Sequence, residues 1–404
     1  MPDTNPTPLR ALTLFAGAGG ADVGLADAGF EHVRCIEYDA HAHATLCAAG
    51  FPGVLGDVRD PTLYADLGRI DLMWASPPCQ DWSSAGKREG ASGERNGWPW
   101  TWDAVDLLRR QGSGPTWLVC ENVTGMLTHN GAACGSGCCA DPERCPATYW
   151  HEVIMREARE RFAWADYRVL DAADYGTPQF RRRVFLVAGP RPIRWPEPTH
   201  GEPTAQRSMF GPALKPWVTV REALGLSGVF GGGTRGHGMA EWQPAELDDR
   251  PAACVTAMQG STAGLYVRTE QTGATATPDT MPAPTVPTVG NQYLHSRDPG
   301  TRAASEPDRL DRPAPTVTST EVKGTRASAA SGGTFNGGPD RASDALYLAT
   351  GRRRLSVLEC AALFSMPPDY PWQGTMTSKY RQIGNMCAWK VVAALGRAVA
   401  EAAT

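Results

Sequence analysis

The sequence predicts an α/β fold, a doubly wound and mostly parallel sheet joined to a smaller, irregular, mostly β region. Three observations carry this. Up to about residue 190, short apolar runs bounded by Gly, Pro and charge alternate with helix-like segments. From about residue 192 to 349, Pro, Gly, Thr and Ser dominate and no long helical periodicity survives. After residue 354 helical periodicity resumes. The expected division is therefore 1–190, 191–350 and 351–404, the last segment completing the first domain.

Taken in order, residues 12–15 read as a strand, followed by a Gly-rich turn and a helix over 21–28. Residues 33–37 read as a second strand, and Asp39 is placed to cap a helix running to residue 48. Residues 72–75, 118–120 and 184–188 are further buried-strand candidates. The middle region holds a weak repeat at even spacing: Arg250-Pro-Ala-Ala-Cys-Val-Thr, Met281-Pro-Ala-Pro-Thr-Val-Pro and Arg312-Pro-Ala-Pro-Thr-Val-Thr. Each copy suits one short strand presenting a loop. The Ser/Gly/Ala-rich stretch 327–341 reads as a loop. Helices are expected over 354–363 and 386–402, the latter with Val391, Val392, Leu395 and Val399 on its apolar side.

At 404 residues, 42 % hydrophobic and 20 % charged, the chain suits a globular protein with one large and one smaller domain. A net charge of -4 counts against a broadly basic nucleic-acid binder, yet leaves room for a local arginine stripe. The 11 cysteines are mostly scattered, and the start MPDTNPTPLR has no apolar signal core. No run reaches membrane-spanning length. These features predict a cytoplasmic protein with free thiols and no disulfide framework.

Four motifs carry chemistry. The first is Thr13-Leu-Phe-Ala-Gly-Ala-Gly-Gly, where glycines let the backbone turn sharply after a strand and approach a ligand. Its spacing is not that of the pyrophosphate fingerprint, which argues for a cofactor without phosphates. Glu37, at the end of the second strand, is placed to bind both ribose hydroxyls of an adenosine. Asp57, after Gly56, is placed to meet the adenine amine. The second motif is Ala75-Ser-Pro-Pro-Cys-Gln-Asp-Trp-Ser. Two prolines stiffen the backbone directly before Cys79 and hold a thiol at the carboxyl edge of a strand. The third, Cys120-Glu-Asn-Val-Thr-Gly, puts Glu121 at the next strand end, where it suits general acid work beside that thiol. The fourth is Tyr175-Gly-Thr-Pro-Gln-Phe-Arg-Arg-Arg-Val, in which alternation sets Gln179, Arg181 and Arg183 on one face.

In this order the four motifs resemble the cytosine-5 DNA methyltransferase family. Phe15-Ala-Gly-Ala-Gly-Gly is similar to its cofactor motif, Pro77-Pro-Cys-Gln to its nucleophile motif, Glu121-Asn-Val to its acid motif and Gln179-Phe-Arg-Arg-Arg to its base-binding motif. Arg354-Leu-Ser-Val-Leu-Glu-Cys-Ala-Ala-Leu-Phe-Ser-Met-Pro is similar to its packing helix, and Gln382-Ile-Gly-Asn to its last cofactor motif. The resemblance covers about 10–190 and 350 to the end. It implies a Rossmann-like domain that binds S-adenosylmethionine and a target-recognition domain in the middle of the chain.

The resemblance also implies roles. Cys79 attacks carbon 6 of a cytosine. Glu121 stabilises ring nitrogen 3, Arg183 holds the ring carbonyl, and Arg181 belongs to the same catalytic set. Phe15, Gly17, Gly19, Gly20, Glu37, Asp57, Pro77 and Asn385 cradle S-adenosylmethionine. Gln80, Ser83, Asn122 and Gln179 contact the substrate. The base must leave the duplex to reach the thiol, and the segment 83–97, with Lys87, Arg88 and Arg95, is the expected lid over it. The expected partner is double-stranded DNA, the expected state a monomer without membrane attachment, with a companion restriction endonuclease in the same system.

Two departures stand out. Trp82 takes the place of the family's usual Phe, and Gly384-Asn-Met-Cys-Ala-Trp replaces its usual Ala-Val continuation, which bears on the shape of the methionine pocket. Cys134, Cys138, Cys139 and Cys145, with His129 and His151 nearby, form a further cluster that could hold a structural zinc or be a loop of free thiols. Alternative functions are an RNA cytosine-5 methyltransferase, a catalytically inactive DNA-binding homologue and a nicotinamide-dependent oxidoreductase. The last leaves the thiol, acid and arginines unexplained. The long middle region favours DNA, because a sequence reader needs surface in the groove. Arg235, Arg268, Arg297 and Arg326 are the expected base or phosphate contacts there.

Overall fold

The computed structural model describes residues 7–78, 96–129, 132–133, 145–202, 214–224, 229–232, 265–268 and 352–404. Cys79, Gln80, Trp82, Ser83, Lys87, Arg88, Arg95, Cys134, Cys138, Cys139, Arg235, Arg297, Arg326 and the repeat lie outside these residues. Two compact units are present. The first comprises Met1–Pro216, Tyr370–Gly374 and Met386–Thr404, and the second Trp217–Asp369 and Thr375–Asn385. The closing stretch of the sequence is thus shared between the units.

The first unit is built on a sheet. Its strands are β1 (Arg10–Leu14), β2 (Glu31–Glu37), β3 (Gly53–Leu55), β4 (Leu72–Ala75), β5 (Trp117–Val123), β8 (Trp164–Asp171) and β9 (Arg182–Gly189). A two-residue hairpin, β6 (Thr128–His129) with β7 (Ala132–Ala133), stands apart from it. The order in the seven-stranded sheet is β3-β2-β1-β4-β5-β9-β8. β1 to β5 run parallel, while β9 is antiparallel to both β5 and β8. The mostly parallel, doubly wound sheet expected from the sequence is present. The apolar runs are continuous rather than alternating because both faces of the central strands are covered.

One face packs Leu12, Leu14, Met73 and Leu118 under α3 (Gly97–Arg110) and the helical stretch after residue 146. Trp98 of α3 meets Trp150 edge to face at 5.6 Å, a contact worth about 0.5–1.5 kcal/mol beyond its buried area. The other face packs Ala11, Trp74 and Trp117 under α1 (Gly20–Asp27) and the C-terminal helix Trp389–Ala403. Those two helices approach closely at Gly24, where an added Cβ would come within 2.5 Å of the Trp389 carbonyl oxygen. The helix α2 (Ala40–Ala48) starts as expected at Asp39, whose carboxylate accepts from the amides of His41 and Ala42.

Two expectations are corrected. The C-terminal helix expected over 386–402 is present with Val391, Val392, Leu395 and Val399 buried, but it begins only at Trp389, and Met376–Asn385 before it is a separate helix that was not expected. Likewise Arg352–Arg354 is a strand, and the helix expected from residue 354 is only Val357–Ala362. Ser356 and Glu359 form a reciprocal capping box that fixes its start. α3 and β8 were not foreseen.

In the second unit, Val229–Gly232, Leu265–Arg268 and Arg352–Arg354 form a three-stranded antiparallel sheet. Tyr380 donates to the carbonyl of Leu355 at 2.7 Å. Among the described residues no helix is long and apolar enough to cross a membrane.

Candidate active site at the carboxyl edge of the sheet

Sheet topology gathers the sequence motifs. β1 and β4 are neighbours and the chain order reverses there, the position where open α/β sheets bind ligands. Phe15, Glu37, Gly56-Asp57, Ser76-Pro77 and Glu121 all sit at or just past the carboxyl ends of parallel strands. β9 runs the other way, so its first residues reach the same edge, and Arg183 pairs with Val123.

Around the β1–α1 turn the backbone dominates the geometry. Phe15 has a positive φ of 55° and Gly17 one of 60°. For a bulky non-glycine residue that conformation is strained and is characteristic of functional turns. Next to the Cα of Gly17 there is open space, with nothing within 4 Å of an added Cβ. Glu37 Oε2 accepts from the Gly17 amide at 2.7 Å, and Oε1 from the Asp39 amide at 2.6 Å. Burial pushes the Glu37 carboxyl up, and these amide bonds oppose the shift. Each oxygen keeps lone-pair capacity for a hydroxyl donor. Asp57 is gripped by Arg59 through two bonds of 3.0 and 2.6 Å, which hold its carboxyl below the usual aspartate range. Arg59 in turn lies 4.7 Å over the Trp100 ring, and Trp100 flanks Phe15.

On the opposite side, side chains dominate. Glu121 is 8 % exposed, and its Oε1 lies 3.0 Å from Arg183 Nε. The two are diagonal neighbours on one face of the antiparallel β5–β9 pair. Gln179 and Arg181 are buried at 0 % and 4 % exposure. Asn122 donates to the Pro77 carbonyl at 3.2 Å, and the start of α3 packs at Gly97 against Pro77 and Pro78. The backbone that leads into Cys79 is thus held from two sides.

A second thiol lies close by. Cys387 Sγ is 3.2 Å from Ser76 Oγ, which also accepts from Trp74 Nε1 at 3.1 Å. Burial pushes the Cys387 thiol up and Glu121 adds to the shift, against the pull of Ser76, Arg181 and Arg183. Cys120 is raised by burial alone. Both therefore stay as thiols, unsuited to nucleophilic attack.

The pattern of the C-5 cytosine-specific DNA methylase family matches residues 9–209 and 271–401, well over half of the chain. The chain belongs to that family. It is a DNA cytosine-5 methyltransferase, with S-adenosylmethionine as methyl donor. Type II methyltransferase M.AquIA of Picosynechococcus sp. is 34 % identical over 238 residues, covering 53 % of this chain and 87 % of that protein. Type II methyltransferase M.NaeI of Lentzea aerocolonigenes is 29 % identical over 249 residues, covering 58 % of this chain and 55 % of that protein. The S. pombe Dnmt2 methyltransferase structure shares the fold at a TM-score of 0.53 and 16 % identity, covering 98 % of this chain and 99 % of that one.

Among the residues expected to serve the methylase, Phe15, Gly17, Glu37, Asp57, Pro77, Glu121, Asn122, Gln179, Arg181 and Arg183 lie at or next to one sheet edge, whereas Gly19 faces packed side chains, where an added Cβ would come within 2.7 Å of Tyr370 Oη. Gly20 faces inward, where an added Cβ would come within 2.1 Å of Met386 Cγ and 2.6 Å of the Cys387 carbonyl. Its missing side chain makes room for the return segment of the chain. Asn122, 2 % exposed, spends its amide on Pro77. Asn385 ends the helix Met376–Asn385 in the second unit and is exposed. Cys145 is buried, and its sulfur caps the short helix Pro146–Thr148 by accepting from the Thr148 amide. Three residues of the edge were not singled out from sequence: Tyr38, 76 % exposed directly after Glu37, and the Ser76–Cys387 pair. An aromatic residue directly after Glu37, the acid expected to meet a ribose, was the available signal for Tyr38.

Proposed function

We propose that this methylase transfers the methyl group through a transient covalent bond between Cys79 and carbon 6 of a cytosine flipped out of a specific double-stranded DNA sequence. The observation that carries this reading is the Glu121–Arg183 pair, 3.0 Å apart, beside the pinned Pro77-Pro78 segment. Glu121 and Arg183 orient the ring, with the acid at nitrogen 3 and the guanidinium at the carbonyl. Glu121 steadies the charge that develops on nitrogen 3 as the thiolate adds. Carbon 5 becomes electron-rich and takes the methyl group; its proton then passes to water, the electron pair re-forms the 5,6 double bond, and Cys79 leaves as the thiolate. S-adenosylmethionine supplies an electrophilic methyl group. Glu37 holds its ribose, Asp57 meets its adenine amine, and Tyr38 offers an exposed aromatic face to the ring. Gln80, Ser83 and Gln179 serve the flipped base, and Asn385 completes the cofactor site.

Residues 191–350 serve as the target reader, the methylase acts as a cytoplasmic monomer, and a companion restriction endonuclease fits its type II relatives. A structural zinc at Cys134, Cys138 and Cys139 remains part of this reading, with Cys145 as its weakest member.

A DNA carrying 5-fluorocytosine in the recognised sequence tests the mechanism. Wild type forms an adduct stable to denaturant and Cys79→Ala forms none while still binding the DNA. Recognition of that DNA by wild type without any adduct would favour the inactive homologue instead.

A further inference from the structure

Beneath the cofactor loop lies a cluster that methyl transfer does not use. Asp22 of α1 is fully buried, Cys35 of β2 is fully buried, and the His32 side chain, also on β2, is 5 % exposed. Cys35 Sγ lies 3.1 Å and His32 Nε2 3.3 Å from Asp22 Oδ1. One ligand atom from each of the three falls within 4.8 Å of the others. Among the described residues Asp22 Oδ2 has no hydrogen-bond partner, and His32 Nε2, although within ion-pair range of Asp22 Oδ1, makes no well-aligned hydrogen bond. A buried carboxylate with an unfilled oxygen, facing a thiol and an imidazole nitrogen, is an expensive arrangement for a core.

The geometry points to a mononuclear site for a borderline-soft divalent cation, zinc by chemistry, held by Asp22, His32 and Cys35. Three arguments support it. At metal–ligand bonds of about 2.0–2.3 Å, ligand atoms on a tetrahedron stand roughly 3.4 Å apart, close to the two short separations here. The remaining ligand pair needs to close by about an ångström, within side-chain reach. Charge also balances, because a dication, one carboxylate, one thiolate and a neutral imidazole sum to zero, which suits a dry site. Finally, the thiolate and imidazole select against magnesium and calcium. Binding turns the Cys35 thiol into a thiolate and releases its proton to solvent.

The site lies where it would brace the cofactor loop. Asp22 is in the first turn of the helix that follows the loop. Cys35 lies two residues before Glu37, whose carboxylate holds the Gly17 amide. The Ala16 amide bonds the carbonyl of Ile36, and Tyr370 donates to the Ala18 carbonyl. A metal joining α1 to β2 would fix the two ends of that turn.

Cobalt(II) titration of the metal-free full chain tests this, in a Cys134→Ser/Cys138→Ser/Cys139→Ser parent so that the loop cysteines cannot contribute. The expected result is one equivalent of tetrahedral cobalt with a sulfur-to-metal charge-transfer band, displaced by zinc and unaffected by magnesium. Asp22→Asn and Cys35→Ser each abolish the band, with circular dichroism confirming the fold. If either variant fails to fold, the parent's stoichiometry and the other variant decide. A parent without the charge-transfer band, or a band that survives Cys35→Ser, would overturn the site. None of these readings depends on methyl transfer, so failure here leaves the catalytic reading standing, and the converse holds.

Discussion

The two sides of the active-site edge are built from different materials. At the β1–α1 turn the ligand-facing surface is mostly main chain: a glycine with positive φ, a strained Phe15, and a glutamate already bonded to two amides. At the β4–β5–β9 side it is mostly side chain: an acid and a guanidinium paired across antiparallel strands, with an asparagine bracing the proline pair. On the proposed reading the first side holds the same molecule in every turnover, and a pre-set backbone does that at low entropic cost. On the same reading the second follows a changing charge on a base, which calls for ionisable groups aimed at specific ring atoms.

The largest effect expected from this contrast is on the chemical step. Glu121→Gln should lower kcat by about 10²–10⁴-fold, the range a positioned acid supplies. The cofactor Kd should stay within about twofold, well under the tenfold that 1.4 kcal/mol would bring. Arg183→Lys should lower kcat as well, and the double variant should cost little more than the worse single one, because the pair acts as a unit. Additive losses would show that the two residues serve separate ends of the base.

The next effect joins the two sides. Gly20→Ala places a methyl group against Met386 and the Cys387 carbonyl, where there is no space. Overpacking of this kind costs about 1–3 kcal/mol, read as a lower melting temperature, and it should perturb both cofactor affinity and kcat because Cys387 leads directly to Ser76. A variant with wild-type stability would show that the return segment yields freely.

A smaller effect is confined to the cofactor side. Glu37→Gln keeps one acceptor but presents an amide group to one of the two N–H donors. The expected loss is about tenfold in S-adenosylmethionine affinity, roughly 1.4 kcal/mol, with kcat at saturating cofactor little changed. Isothermal titration separates the two, and a fall in kcat with unchanged affinity would move Glu37 out of the cofactor site.

These tests also follow the line between what the sequence discloses and what it hides. The Gly17–Glu37 relation spans twenty residues within one strand–turn–helix–strand unit, so local pattern suffices. The Glu121–Arg183 pair was legible as two motifs, but their meeting needs the antiparallel β9, a reversal that alternation of apolar runs does not signal. The Ser76–Cys387 contact joins residues 311 apart, and nothing near either announces the other. α3 was hidden for a different reason. It begins Gly-Trp-Pro-Trp, a start that reads as loop, yet proline is tolerated in a first turn whose amides have no helical partner. The buried Asp22, His32 and Cys35 looked like ordinary residues of a helix and a strand, because only packing of α1 on β2 brings them together.

The smallest expected effect concerns Asp57 and marks how far the cofactor side is pre-set. Arg59 holds the Asp57 carboxyl below its ordinary value, near 3.8 for aspartate. A carboxyl with a lowered folded pKa contributes stability that is present above the unfolded value and lost as pH falls through the folded one. Both partners are substantially exposed, so the contribution is small and screened by salt. Asp57→Asn should therefore unfold at slightly lower urea than wild type at neutral pH, and the gap should close as the pH falls below that ordinary value. If Asp57 also meets the adenine amine, the same variant should weaken S-adenosylmethionine, while Arg59→Ala, which leaves the carboxylate unclamped, should weaken it less. Equal losses in both variants would mean that the clamp, and not the acceptor atom, is what the adenine reads.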